Sequence, residues 1–164
     1  MDGCQANSVN GGTDGGAKEP LNGSMEPSRV PPSARLSARF SSQARDATKP
    51  ELSLRRELHR HGLRFRVQYL IPGLPRRRAD LAFTRQKVAV FVDGCFWHAC
   101  PLHCVVPKAN REWWLWKFST NSSRDADTNI KLAELGWTVV RIWEHEPLEH
   151  AVCKVTEALR DYGS

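Results

Sequence analysis

Three residues in one short run have the types and spacing to hold a metal ion. Cys95, Cys100 and His103 read C-x4-C-x2-H within DGCFWHACPLHC. Zinc takes four ligands tetrahedrally from thiolate sulfur and imidazole nitrogen, and a closed four-ligand site is structural. The fourth ligand must come from elsewhere. His145, directly after WTVVRIWE, is the first choice, because a strand beside KVAVFV would deliver its end next to this loop. Cys104 and Cys153 are the alternatives. The plainer reading is a set of reduced thiols and a surface histidine. Three ligands within nine positions favour the metal, and an odd total of five cysteines argues against a disulfide framework.

A second group could do chemistry. Asp80 opens one strand candidate and Asp93 closes the next, so a short hairpin would set both carboxylates at one end of a sheet. Converging carboxylates suit a hard cation such as magnesium. His98, on the zinc loop, titrates near neutrality. Carboxylate, cation and imidazole together describe phosphodiester hydrolysis, in which the cation polarises phosphate and acidifies water while the imidazole moves a proton. Each residue also has a bland role. Asp80 could be a strand-end cap paired with Arg78, Asp93 could set a turn with Gly94, and Glu51 could be only the capping-box partner of Thr48.

The elements that must position these groups are legible in outline. Thr48-Lys49-Pro50-Glu51 starts a helix as a capping box with an early Pro; Leu54 and Leu58 share a face, and Gly62 ends it. RFRVQY alternates as a strand with Phe65, Val67 and Tyr69 on one side. ADLAF and the nearly continuous apolar KVAVFV follow, the latter suited to a central strand covered on both faces. One helix is expected over Arg111 to Phe118 and a second over Asp125 to Leu135. WTVVRIW is a further buried strand, and Pro147 to Tyr162 closes the chain as a helix. The order predicts an α/β fold, a mixed sheet flanked by helices, over residues 48–162.

Residues 1–34 hold almost no large apolar side chains and read as a disordered extension; 35–47 read as a basic flexible arm with a lone Phe40. A net charge of +6 and a pI near 9.3 favour a polyanionic partner. No run is apolar enough for a membrane span and no secretory signal opens the chain, so a cytoplasmic protein without a membrane partner is expected.

FVDGCFWHACPLH, then PKANREWW, then ELGWTVVRIWEHE resemble, in order and spacing, the very short patch repair endonucleases. These are bacterial mismatch nickases related in fold to type II restriction enzymes. The resemblance covers about Arg45 to Glu146, and GCFWH is its most specific segment. It implies a restriction-endonuclease-like fold with a structural zinc, and a magnesium-dependent enzyme nicking the T strand of duplex DNA beside a T:G mismatch left by deamination of 5-methylcytosine. By the same resemblance Asp80 binds magnesium, with the Val92 carbonyl close to the ion, and His98 is the general acid or base. Asp93 stands where some members have a second histidine, and Glu51 matches an acidic residue at the start of the first helix. Cys95, Cys100, His103 and His145 match the zinc positions, although some members distribute His and Cys differently among them. Phe96 and Trp97 match aromatics that wedge into the duplex, with Phe40 a possible third; their plainer reading is core packing. Arg76, Arg77 and Arg78 stand before Asp80, where other members have a Pro immediately before the aspartate, and are expected at DNA phosphates. Lys117, Asn121 and Arg124 are candidate backbone contacts. Repair proteins, a polymerase that fills the patch, a nucleoid location and a monomeric state complete this expectation. Its competitors are a restriction-like nuclease with no mismatch preference and a zinc-stabilised DNA-binding module with a dead site.

Overall fold

The computed structural model describes residues 25–30 and 48–161. Phe40, the arm at 35–47 and most of the N-terminal extension lie outside them.

Helix α1 (Lys49–Arg60) carries Pro50 in its first turn, where a missing N–H costs nothing, and buries Leu54 and Leu58 one turn apart. It stops at Gly62, whose φ of +75° lets Gly62 N–H reach the His59 carbonyl and Leu63 N–H reach that of Leu58. The expected capping box does not form. Thr48 makes no side-chain cap bond, and Glu51 instead turns inward, buried, to pair with Arg55.

Strands β1 (Arg66–Leu70), β2 (Arg78–Phe83) and β3 (Val88–Asp93) form an antiparallel meander, and β4 (Thr138–Trp143) joins β3 in parallel. Strand β3 is buried along nearly its whole length, as its apolar run predicts. Strand β4 is an edge, so only Val140 and Ile142 are buried. In β1 the alternation breaks. Gln68 adopts φ +48°, so Phe65 packs against Phe83 while Tyr69 meets Trp137 on the other face, and Val67 is left 49% exposed.

Helix α1 and the closing helix α3 (Leu148–Asp161) cover one face of the sheet. Leu54, Leu58, Ala151, Val152 and Val155 meet Leu81, Phe83, Val88, Val90, Val140 and Ile142 there. Helix α2 (Arg111–Glu134) covers the other, where Leu132 joins Ile71, Ala79, Ala89 and Phe91. Burying each large aliphatic side chain contributes roughly 1.5–3 kcal/mol, so both faces hold the strand ends in register.

Two helices are expected between β3 and β4, and there is one. Its inner stripe runs Trp114, Phe118, Asn121, Asp125, Thr128, Leu132, in steps of four and three. The middle of that stripe is polar, which breaks the apolar periodicity without breaking the helix. No Gly or Pro interrupts it, and Thr120 and Thr128 bond back to the carbonyls of Trp116 and Arg124. No helix among the described residues is long and apolar enough to cross a membrane.

Candidate functional site

Parallel pairing of β3 with β4 brings the C-terminal ends of both strands together, Asp93 opposite Trp143. Glu144 N–H continues the ladder to the Asp93 carbonyl at 3.0 Å. The two loops that leave these ends therefore lie side by side. The loop after β3 is wound by Cys100 N–H to the Cys95 carbonyl (2.8 Å) and Cys104 N–H to the Cys100 carbonyl (2.9 Å). Cys95 N–H is bonded from outside by the Glu144 carboxylate at 2.6 Å.

Cys95, Cys100, His103 and His145 converge there, with one donor atom of each within 4.8 Å of all the others. The sulfur-to-Nδ1 separations are 3.0 and 4.0 Å from Cys95 and 3.8 and 3.7 Å from Cys100, to His145 and His103 respectively. A tetrahedral zinc with bonds near 2.3 Å to sulfur and 2.0 Å to nitrogen would hold such pairs about 3.5 Å apart. Two sulfurs and two nitrogens at that spacing could hold a metal ion. Of the alternatives, Cys104 turns its Sγ to the Phe96 carbonyl and Cys153 lies on α3; neither joins the group. Burial pushes the Cys95 thiol up to about 11, with Cys100 and Glu144 adding to it. A cation bound to the Cys95 sulfur as thiolate must therefore displace its proton.

Below this loop stands a carboxylate group. The β2–β3 register ends at Leu81 opposite Val90, and past it Asp80 Oδ2 accepts the Val92 N–H at 2.8 Å. Gln68 Nε2 approaches Asp80 Oδ1 at 3.3 Å. Burial raises the Asp80 carboxyl to about 6; the Val92 bond opposes that rise, and the nearby Glu51 and Asp93 add to it. Arg78, its expected partner in the bland reading, bonds the Gln68 carbonyl instead. Excess negative charge around a half-buried carboxylate could hold a hard cation, with Asp80 and the adjoining Val92 backbone as candidate donors.

Asp93 departs from expectation. It is not an open carboxylate, and it is not a turn-setting residue. Both its oxygens are 2.8 Å from Arg141 Nη1 in β4. His98 has a partner that sequence reasoning missed: its Nδ1 lies 2.6 Å from Asp125 Oδ2 on α2, 27 residues away, and 3.7 Å from Asp93 Oδ1. Burial pulls the His98 pKa down, but the Asp125 bond and the Asp93 charge outweigh it, and the net shift is upward. Asp125 shifts downward: burial is outweighed by the His98 bond and by Arg141. With Nδ1 engaged, Nε2 is the ring nitrogen left to face a substrate. The signal for Asp125 was the four-and-three stripe, which runs unbroken through it once α2 is read as one helix.

That stripe also fixes the loop's aromatic residues. Phe96 meets Trp114 and Phe118 edge-on at 5.0 and 5.5 Å, and Trp97 at 5.3 Å. Both Phe96 and Trp97 are half-buried. Asn121, expected at DNA, is buried and donates to the Trp97 carbonyl at 2.9 Å, so in this arrangement it holds the loop rather than meeting solvent. Arg77 ties the β1–β2 turn to α2 through Asp127 (2.5 Å), Thr128 (2.9 Å) and the Arg124 carbonyl (3.3 Å). Arg76 and Arg124 are exposed and Lys117 is half-buried.

The family model described as DNA mismatch endonuclease Vsr matches residues 30–104. Type II nicking enzyme V.NaeI of Lentzea aerocolonigenes is 42% identical over 133 residues, covering 79% of this chain and 80% of that protein. Type II nicking enzyme V.NmeDIP of Neisseria meningitidis serogroup C is 36% identical over 138 residues, 81% and 90% of the two chains. DNA mismatch endonuclease Vsr of Escherichia coli K12 is 40% identical over 87 residues, 51% of this chain and 52% of that one. With relatives matched across so much of both chains, on a fold whose strand ends gather Cys95, Cys100, His103 and His145, the chain belongs to the Vsr family of DNA endonucleases.

Proposed function

We propose that this endonuclease nicks the T strand of duplex DNA beside a T:G mismatch, with magnesium at Asp80 and a structural zinc on Cys95, Cys100, His103 and His145. The observation that carries the reading is the 2.6 Å pairing of His98, on the loop that also bears Phe96 and Trp97, with Asp125 on α2, taken together with the raised Asp80 carboxyl. Magnesium bound there, with the Val92 carbonyl near it, would supply charge neutralisation at the scissile phosphate. Asp80 anchors that charge, and Glu51 adds to the negative potential around it. His98 moves the proton through Nε2, and Asp125 keeps its ring in one tautomer. Asp93 adds negative charge on the Nδ1 side of the ring.

The donor set Cys95, Cys100, His103 and His145 stiffens the loop, so that His98, Phe96 and Trp97 hold fixed relative positions. Phe96 and Trp97 rest against Trp114 and Phe118 and would wedge into a mispaired step, which is easier to unstack than a matched one; a ring stacked on a base regains about 1–3 kcal/mol. Arg76, Lys117 and Arg124 are available for phosphates, while Arg77, Arg78 and Asn121 act from behind them by holding the turn and the loop. Such a nick would open very short patch repair of deaminated 5-methylcytosine. Repair proteins and a polymerase would follow, with the enzyme acting as a monomer in the bacterial cytoplasm at the nucleoid.

The test is strand-resolved cleavage of a labelled duplex with one T:G mismatch in varied flanks, against its T:A counterpart, using zinc-loaded protein with and without magnesium. A magnesium-dependent nick confined to the T strand of the mismatch is expected. Equal cutting of both duplexes would replace mismatch repair with a restriction-type activity. Binding without cutting in every flank would leave a DNA-binding module with a dead site.

A further inference from the structure

Arg141 is engaged on several sides at once. It projects from edge strand β4 between β3 and α2, with Nη1 on both oxygens of Asp93 at 2.8 Å. Nε donates to Asn129 Oδ1 at 3.2 Å, and Nη2 lies 3.4 Å from Asp125 Oδ1. Its plane sits over the Phe91 ring, 4.8 Å from the centroid. A planar fork held at four points is a rigid part, unlike a lysine's single flexible charge.

What that part does follows from the two acceptors around His98. Nδ1 has Asp125 Oδ2 at 2.6 Å and Asp93 Oδ1 at 3.7 Å, so two carboxylates compete for one N–H. Arg141 occupies both oxygens of Asp93 but only the far oxygen of Asp125, leaving Oδ2 free for the imidazole. We infer that Arg141 is a positioning residue that takes Asp93 out of the competition and so fixes His98 on Asp125, with Nε2 presented in one direction. Asp93 is then a brace for Arg141 rather than a ligand or a base. The inference rests on the reading of His98 as the proton-transfer group.

The prediction concerns chemistry more than binding. In Arg141→Gln the freed Asp93 draws the ring to a second orientation, and a small misplacement of a catalytic group is worth orders of magnitude in rate. The single-turnover nicking rate on the mismatched duplex, at saturating enzyme and well below the melting temperature, should fall about 10- to 100-fold while the Kd for that duplex changes less than threefold. Arg141→Lys, which keeps the charge but loses the fork, should fall between the two. The decisive variant is Arg141→Gln with Asp93→Asn: with the competing charge also removed, most of the rate should return. The Nδ1–H proton of His98, followed by NMR, should weaken or shift in Arg141→Gln and recover in the double variant. A helix- or strand-stabilising role alone would move neither that resonance nor the rate per folded molecule.

Two controls separate the failures. If Asp80→Ala and His98→Ala nick as fast as wild type, the assignment of the nuclease site is wrong. If both are dead yet Arg141→Gln keeps the wild-type rate and His98 resonance, or the two substitutions add without rescue, only the role given to Arg141 is overturned.

Discussion

Replacing Asp80 by Asn should stabilise the magnesium-free protein at neutral pH even as it abolishes nicking. The Asp80 carboxyl is held at about 6 in the folded chain, against 3.8 when free of it, with burial as the main cause. The folded state therefore binds the proton more tightly than the unfolded state. Below pH 3.8 both states are protonated and the group contributes nothing. As pH rises toward 6 the unfolded chain ionises first, and stability is lost. Above about pH 7 the full penalty applies, and the rise from 3.8 to about 6 corresponds to about 3 kcal/mol. Asn has nearly the same shape, carries no charge, and its Oδ1 can still accept the Val92 N–H.

The gain for Asp80→Asn should therefore be about 1–3 kcal/mol at pH 7.5 and roughly half that at pH 5. Urea unfolding of zinc-loaded protein measures it, with magnesium omitted rather than chelated, since a chelator would strip zinc too. Comparing variant with wild type cancels the pH dependence of zinc binding itself. Adding magnesium should then stabilise the wild type and leave the variant unchanged. A variant no more stable than wild type at pH 7.5, or a gain that does not shrink by pH 5, would refute the reasoning.

Three further outcomes follow from the geometry. Cys100→Ser or His145→Ala should lower bound zinc from one per chain, read by a chromogenic chelator after unfolding, and should cost several kcal/mol in thermal unfolding because binding and folding are coupled. Asp125→Asn should cut the nicking rate by about two orders of magnitude with little change in DNA affinity, as loss of an oriented acid–base group does; a change in affinity alone would place Asp125 elsewhere in the reaction. Asn110, at the N-terminus of α2, makes no cap bond and instead clamps the Val30 N–H and carbonyl at 3.0 Å each, with Glu26 and Arg29 on Trp113 nearby. Asn110→Ala should therefore speed hydrogen exchange at residues 26–30 while leaving the sheet unchanged.

Local chemistry was legible in the residues themselves. The C-x4-C-x2-H run marks a candidate metal loop because ligand type and spacing are properties of a short segment. The helix ends at Gly62 and Gly136 are equally local, since a left-handed residue is needed there and glycine adopts that conformation without strain. The buried run of β3 identified a central strand for the same reason. The tertiary structure decided everything that depends on which side chain meets which across the sheet. It placed His145 rather than Cys104 or Cys153 with the other donors, because β4 runs parallel to β3 and ends beside the loop.

It also gave Asp93 to Arg141, 48 residues on, and Asn121 to the Trp97 carbonyl, 24 residues back. Polar residues on the inner face of α2 read as an interruption in sequence, since apolar periodicity is the signal for a helix. In the fold they are the stretch of that helix facing His98 and the turn before β2. A carboxylate's role as ligand, brace or orienter depends on the cation or imidazole that reaches it first, and that is set by packing between distant elements rather than by its neighbours in the chain.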